Sequence, residues 1–582
     1  MASEHEIKSE KIFVKDIFST KWFRIPEYQR PYIWSKDEVN DLLDDLSFAC
    51  ANKPSQEYFL GSFVYQSKRA RAENGESFEE NDLLDGQQRM TTLMMLFACI
   101  RDLSDDPTVE ASCHKAIFQE GDEIDNIPER TRIVFAIRQE VQDFVDQYLK
   151  EPDGTSKEAD FATLLIDTED PSIPNMIRAI QEMRRYLTEP KNGINLKTFL
   201  MFLRNQVLLI YVATEDLDDA FRLFTILNDR GVPLRNSDIL KSQNLGALEK
   251  AVDKERYAKL WEEAEGELGD DFDRFLNHIR TILVKDKARL SLLDEYEQKI
   301  YNPREKDKTT GQVKPALLVK GKPTFELVEK YLDIYATLLS GKNSEHFNHR
   351  FGFDNLVSVM LTGLPSTDWI PPFMRYFERF RYARLDEFLI KLDNKFSGDW
   401  IGQFSPTKRI ENMNNLIEKI EQSQSPDEVL SSALFDFEAQ WFLNSIEAAV
   451  YGRRFTRYLL LKLDYLFSDD SHPMTINQLS VEHILPQKPE DGSQWKQDFS
   501  DEARKEWTDK LGNLVLISMR KNTSQGRKDY ADKKFAYFTK RISGCANSLR
   551  VIQKYDQWTP TELKENHAFV LQKLREHYGI HT

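Results

Sequence analysis

A carboxylate and an imidazole stand side by side at Glu482 and His483, and two carboxamides follow at Asn513 and Asn522. Those groups suit phosphodiester hydrolysis. A histidine can take the proton of an attacking water. Carboxylate and carboxamide oxygens are the donors that a hard divalent cation such as Mg2+ prefers, and such a cation steadies the departing oxyanion. Glu482 and Asn522 are therefore the candidate metal ligands, and His483 is the candidate base. Asn513 opens an apolar run 30 residues beyond His483. Geometry raises one objection. Neighbours along an extended strand point to opposite faces, so Glu482 and His483 diverge unless a strand end or bulge re-aims them.

A basic island accompanies this constellation. Arg520, Lys521, Arg527, Lys528, Lys533, Lys534, Lys540 and Arg541 face only two acids, Asp529 and Asp532, in a chain of net charge −17. The overall charge argues against indiscriminate coating of nucleic acid, but local fields decide contacts with phosphate. The island is a candidate DNA track. Arg453, Arg454 and Arg457 either extend it or form a solvated helix face. Taken singly, His483 beside a glutamate reads as a structural pair, and each asparagine as a turn residue; their order and the basic island carry the nuclease reading.

The second chemistry lies in "LLDGQQRMTT", Leu83 to Thr92. Gly86 permits a tight turn and close approach. The helix start beyond it offers unpaired N–H groups and a positive dipole end, and Arg89 adds a fork of donors. Asp85, Gln87 and Gln88 can hold a metal, a sugar or a base, so the turn suits an anion. The segment "IPEYQRPYIW" adds Tyr28, Gln29, Arg30, Tyr32 and Trp34, rings and donors able to stack on a base and hold phosphate. A third stretch, "LNDRGVPLRNSDILK", has a polar turn at Asn228, Arg230 and Gly231. Asn236 or Ser237 is then expected to cap a helix bearing Asp238 and Lys241. No G-x-x-x-x-G-K-[ST] pattern occurs, so a nucleotide site here is not a P-loop.

Elements must position these groups. Ser35 and Glu38 form a capping-box pattern ahead of a helix to Cys50. Tyr58–Gln66 and Gln206–Thr214 read as strands, Ser67–Asp82 as a polar loop, and Gln88–Arg101 as a helix. Leu245 to about Gln440 reads as helical, interrupted by an exposed stretch at Tyr301–Pro323. Beyond it come an amphipathic helix Arg453–Phe467, a strand near Ser480–Leu485, a second strand Asn513–Ser518 and a helix from Tyr530 to about Lys540. The expected fold class is α+β multidomain and predominantly helical. It has an α/β domain over 1–245, a helical middle over 246–440 and a strand–strand–helix domain over 441–582. Cys50, Cys99, Cys113 and Cys545 form no C-x-x-C pair and read as free thiols. No apolar stretch approaches the roughly 20 residues that span a bilayer. The opening MASEHEIKSEKIF lacks a signal-peptide core, so a cytoplasmic protein without a membrane partner is expected.

"IPEYQRPYIW", "LLDGQQRMTTL" and "LNDRGVPL…DILK" closely resemble the N-terminal domain of GmrSD-type modification-dependent (type IV) restriction endonucleases. The "EHILPQ" and "LGNL" signatures resemble the HNH domain at the C-terminus of the same family. The resemblance implies a ParB/sulfiredoxin-like domain that binds and hydrolyses a nucleoside triphosphate, GTP, ATP, UTP or CTP being indistinguishable. Tyr28, Gln29, Arg30, Asp85, Gly86, Gln87, Gln88 and Arg89 would form its site. It implies a ββα-metal nuclease with His483 as base, Glu482 and Asn522 on Mg2+ or another divalent cation, and Asn513 holding the ββα loop or orienting the histidine. Arg520, Lys521, Arg527, Lys528, Lys533 and Lys534 would meet double-stranded DNA. The implied function is nucleotide-dependent cleavage of modified or foreign phage DNA, as in the related phosphorothioate-sensing SspE proteins, alone, as a homo-oligomer or with an accessory defence protein. Two other readings remain: a nucleotide-switched ParB-like DNA-binding protein with an inactive nuclease unit, and a toxin-like RNase.

Overall fold

Strands from the first half of the chain build one mixed sheet, in which the β-branched and aromatic runs over Tyr58–Gln66 and Val207–Thr214 lie side by side. Its strands are β1 (Lys8–Phe13), β2 (Phe23–Ile25), β3 (Tyr58–Arg71), β4 (Ser77–Asp85), β7 (Ile133–Phe135) and β8 (Val207–Thr214), in the order β1-β8-β3-β4-β2-β7. Two-residue strands β5 (Phe118–Gln119) and β6 (Arg130–Thr131) form a separate ladder. The computed structural model describes residues 7–26, 29–71, 77–121, 129–136, 138–168, 170–215, 235–305, 312–476, 479–518, 527–539 and 545–580. Tyr28, Asn228, Arg230, Gly231, Arg520, Lys521, Asn522, Lys540 and Arg541 lie outside them.

The chain divides into two compact units, Met1–Glu267 with Lys320–Lys322, and Leu268–Val319 with Pro323–Thr582. Most of the helices expected as a separate middle domain thus share a unit with the C-terminal strands. No strand occurs within the described part of 245–440.

In the first unit the helix Gln87–Leu103 is the centre of the core. Every residue from Met90 to Arg101 is buried, because the helices Pro107–Ile117 and Ser172–Thr188 pack on it as well as the sheet. The expected helix after Ser35 runs Lys36–Asn52, with the Ser35–Glu38 capping box formed. The described residues of the segment 67–82, expected as a loop, are instead paired strand: Lys68 pairs with Glu80 and Arg69 with Glu79. Opposite charges facing across the ladder make such a polar pair of strands viable.

In the second unit the helix expected from Arg453 begins at Thr456 and runs to Phe467. Its stretch Tyr458–Asp464 is buried, so it is a core helix rather than an amphipathic surface one. Strands β9 (Leu479–His483) and β10 (Leu514–Ser518) pair antiparallel, with Leu514 opposite His483 and Val515 opposite Glu482. Leu514 and Leu516 join the cluster around the helix Thr456–Phe467. Val515 and Ile517 join a second cluster with Tyr530, Trp495 and Trp558. Burial on both faces is why "LVLI" carries no polar alternation. The helix Tyr530–Thr539 follows, completing the strand–strand–helix order. Among the described residues no helix is long and apolar enough to cross a membrane.

Candidate functional site

Strand alternation separates Glu482 from His483. Glu482 shares the face of Val515, toward the helix Tyr530–Thr539, and is 5% exposed. Its Oε1 accepts from Lys533 Nζ at 2.8 Å. The same ammonium donates to the carbonyls of His483 (2.7 Å) and Ile484 (3.1 Å). Lys533, expected on DNA, is 3% exposed and has its donors committed inside the fold; it is not a phosphate contact. Burial pushes Glu482 up and Lys533 down, each opposed by the other's charge. Three oxygen acceptors around one Nζ favour the charged pair.

His483 belongs to the opposite face. Its Nε2 lies 3.0 Å from Asp509 Oδ1. The ring meets that of Tyr451 edge-on, with centroids 4.3 Å apart. Gln487 Nε2 donates to the same Asp509 oxygen at 3.1 Å. Burial lowers the histidine's pKa, and the Asp509 carboxylate opposes the shift. The main chain fixes this group: Val450 and Tyr451 N–H both donate to the Asp509 carbonyl, at 2.9 and 3.1 Å.

Asn513 is fully buried. Its Nδ2 donates to the carbonyls of Leu485 (3.0 Å) and Thr508 (2.8 Å), and its Oδ1 accepts from Leu485 N at 2.8 Å. This ties the exit of β9 to the entry of β10, a loop-holding arrangement. The adjacent Gly512 has no room for a side chain, since a Cβ would stand 2.4 Å from His567 Cα.

An ion shared by Glu482 and His483 does not fit these residues. The two point to opposite faces, and Glu482 is already neutralised by Lys533; the other expected ligand, Asn522, lies outside the described residues and is not tested. No group of three or more His, Cys, Asp or Glu side chains converges as a metal site among the described residues. Of the basic island, Arg527 and Lys528 are exposed. Lys534 donates to Tyr555 O and Asp556 Oδ1. Arg453 and Arg454 are exposed, whereas Arg457 donates to Leu479 O.

In the first unit the turn works as expected for Gly86, which has φ +84° at the start of the helix Gln87–Leu103. The two glutamines do something else. Gln87 Nε2 donates to Arg30 O at 3.0 Å, and Gln88 takes Pro31 O and the Ile33 N–H. Gln29 Nε2 donates to Leu84 O, and Tyr32 OH pairs with Thr92 Oγ1. The first two motifs therefore clasp each other, which requires their amides rather than leaving them for a ligand. Arg89 Nη1 donates to Ser62 O at 3.0 Å, and its guanidinium lies against Gly61, where a Cβ would come within 2.9 Å. Burial raises Asp85, opposed by the Gly86 N–H, Arg89 and Arg30.

Arg30 also lines an open cleft of about 930 Å³ with Arg138, Arg235, Lys259, Glu262 and Glu265. Arg138 bridges Asp170 and Glu262, Lys241 also reaches Glu262, and Arg30 Nε lies 3.6 Å from Asp238. Burial pushes Glu265 up to about 7. The expected cap at Asn236 or Ser237 is replaced by Arg235, whose N–H donates to Asp238 Oδ2. Asp509, Tyr451 and Arg138 had no signal in the sequence, each being an isolated polar residue whose partner is distant in the chain; Gln487 stands at the end of the "EHILPQ" signature, but its contact with Asp509 was not legible there.

The class of protein follows from family matching: a restriction endonuclease, an enzyme whose substrate is DNA. The chain belongs to the GmrSD restriction endonuclease family; the N-terminal domain model of that family matches residues 13–245 and the C-terminal domain model matches residues 438–572. A search of curated proteins finds no significant match.

Proposed function

We propose that the chain is a nucleotide-dependent nuclease that restricts modified or foreign phage DNA, with an HNH-type (ββα) cutting unit and a ParB-like nucleotide unit. The observation that carries the cutting role is His483 at the end of β9, its ring held by Asp509 and Tyr451 on the face opposite the Glu482–Lys533 pair. His483 takes a proton from water as the water oxygen bonds to phosphorus and the opposite P–O bond breaks, the departing oxygen taking a proton from solvent. Arg527 and Lys528, at the exposed approach to the helix Tyr530–Thr539, are the cations offered to backbone phosphates. The family resemblance motivates a divalent cation. The nucleotide goes to the cleft bordered by Arg30, beside the Asp85–Arg89 turn; Arg30, Arg235 and Lys259 would meet its phosphates within a lining that also carries seven acids, Arg138 being taken up by Asp170 and Glu262, and Glu265 suits a base or sugar donor.

Plasmid cleavage tests the cutting role. His483→Ala is expected to lower the rate by about 10²- to 10⁴-fold while leaving DNA affinity unchanged; undiminished cleavage would refute the assignment. Added EDTA reports whether a cation is needed. Arg30→Ala and Arg89→Ala are expected to impair NTP hydrolysis, and unchanged turnover in both would remove the nucleotide from this cleft.

A further inference from the structure

We propose that Asp509 is the positioning residue for His483, holding the Nε2–H so that Nδ1 is the nitrogen presented to the attacking water. The inference rests on the reading of His483 as the base. Which ring nitrogen carries the proton is set by the hydrogen bond the other nitrogen makes. Here Nε2 faces a carboxylate oxygen at 3.0 Å, which only accepts. No hydrogen-bond partner of Nδ1 occurs among the described residues.

Asp509 is itself held, as a positioning group must be. Gln487 Nε2 donates to the same Oδ1 at 3.1 Å. The Asp509 carbonyl is clamped by the Val450 and Tyr451 N–H groups, which also sets the Tyr451 ring against the imidazole. Lys533 pins the His483 carbonyl from the other side of the ribbon. Backbone, ring edge and Nε2 are thus all constrained, and Nδ1 is the remaining polar atom of the ring. The Asp509 side chain is 42% exposed, so its replacement removes no core packing.

Two readouts test the proposal on the full chain. Nitrogen-15 NMR of histidine-labelled protein at alkaline pH, with the His483 signals assigned by loss in His483→Gln, reports the tautomer directly. The Nε2-protonated form is expected in the wild type and a mixture in Asp509→Ala. A predominantly Nδ1-protonated ring in the wild type overturns the proposal. In cleavage kinetics Asp509→Ala is expected to lower kcat about ten- to a hundredfold, with KM for DNA and Tm little changed and partial rescue by Asp509→Glu. Unchanged kcat overturns it. So does a raised kcat, which would make Asp509 an occupant of the phosphate's place. The tautomer measurement does not depend on activity, so it still decides the orientation if His483→Ala proves the base reading wrong.

Discussion

Lys533 donates to one carboxylate oxygen and two carbonyls and has no donor left for a phosphate. Removing one partner of such a buried pair leaves the other charge uncompensated. Lys533→Met is expected to destabilise the second unit by about 3–5 kcal/mol. The double variant Lys533→Met with Glu482→Leu should recover most of that loss. Chemical denaturation of the two variants provides the comparison, and equal stability of single and double variants would contradict the pairing. Asp464 gives a pH signature of its own. Burial pushes its carboxyl up to about 7, only partly opposed by the Asn547 N–H that its Oδ1 accepts at 2.8 Å. The folded chain thus keeps a proton that the unfolded chain loses near pH 4. This group's contribution to stability is full below that point and is lost as pH rises toward about 7. In Asp464→Asn the N–H keeps an acceptor, so the slope of Tm against pH over this window should flatten.

Elements enforce what single residues cannot. The β4-to-helix turn needs φ +84° at Gly86, and a Cβ there would stand 2.7 Å from Phe63 Cβ. Gly86→Ala is expected to cost more than about 1 kcal/mol, since strain and overlap add. Gly193→Ala is the control, with φ +59° but nothing within 4 Å; its Tm should fall less. The ribbon β9–β10 makes a related point. Leu514–Ile517 of β10 is apolar on both faces because a core lies against each, and its antiparallel pairing with β9 sets Glu482 to the side of Val515 and His483 to the side of Leu514.

At the scale of the whole molecule the chain carries two units, one with a charged cleft and one with the partnered histidine. Restriction should require both. Plating of phages with modified and unmodified genomes is expected to show loss of protection in His483→Ala and in Arg30→Ala alike. Digestion of those genomes in vitro with each NTP in turn then identifies the nucleotide. Cleavage indifferent to every NTP would leave the cleft without its proposed part in restriction.

Much of this was legible in the residues. The capping box at Ser35, the strand over Val207–Thr214, the helix after Gly86 and the strand–strand–helix order are local in origin, resting on caps, periodicity and glycine's access to positive φ. The family motifs are likewise contiguous. The strand pairing within 67–82 is not legible along the chain because its stabilising charges face each other across two strands, a pairing that spacing along one strand does not display. Partner choice was decided only in three dimensions. Gln87 and Gln88 clasp a segment more than fifty residues away, Lys533 turns inward to Glu482, and Asp509 meets His483 across a long connection. A sequence specifies which groups can donate, accept or carry charge; which of them are used on one another depends on long-range packing and burial, and those exist only once the chain has folded.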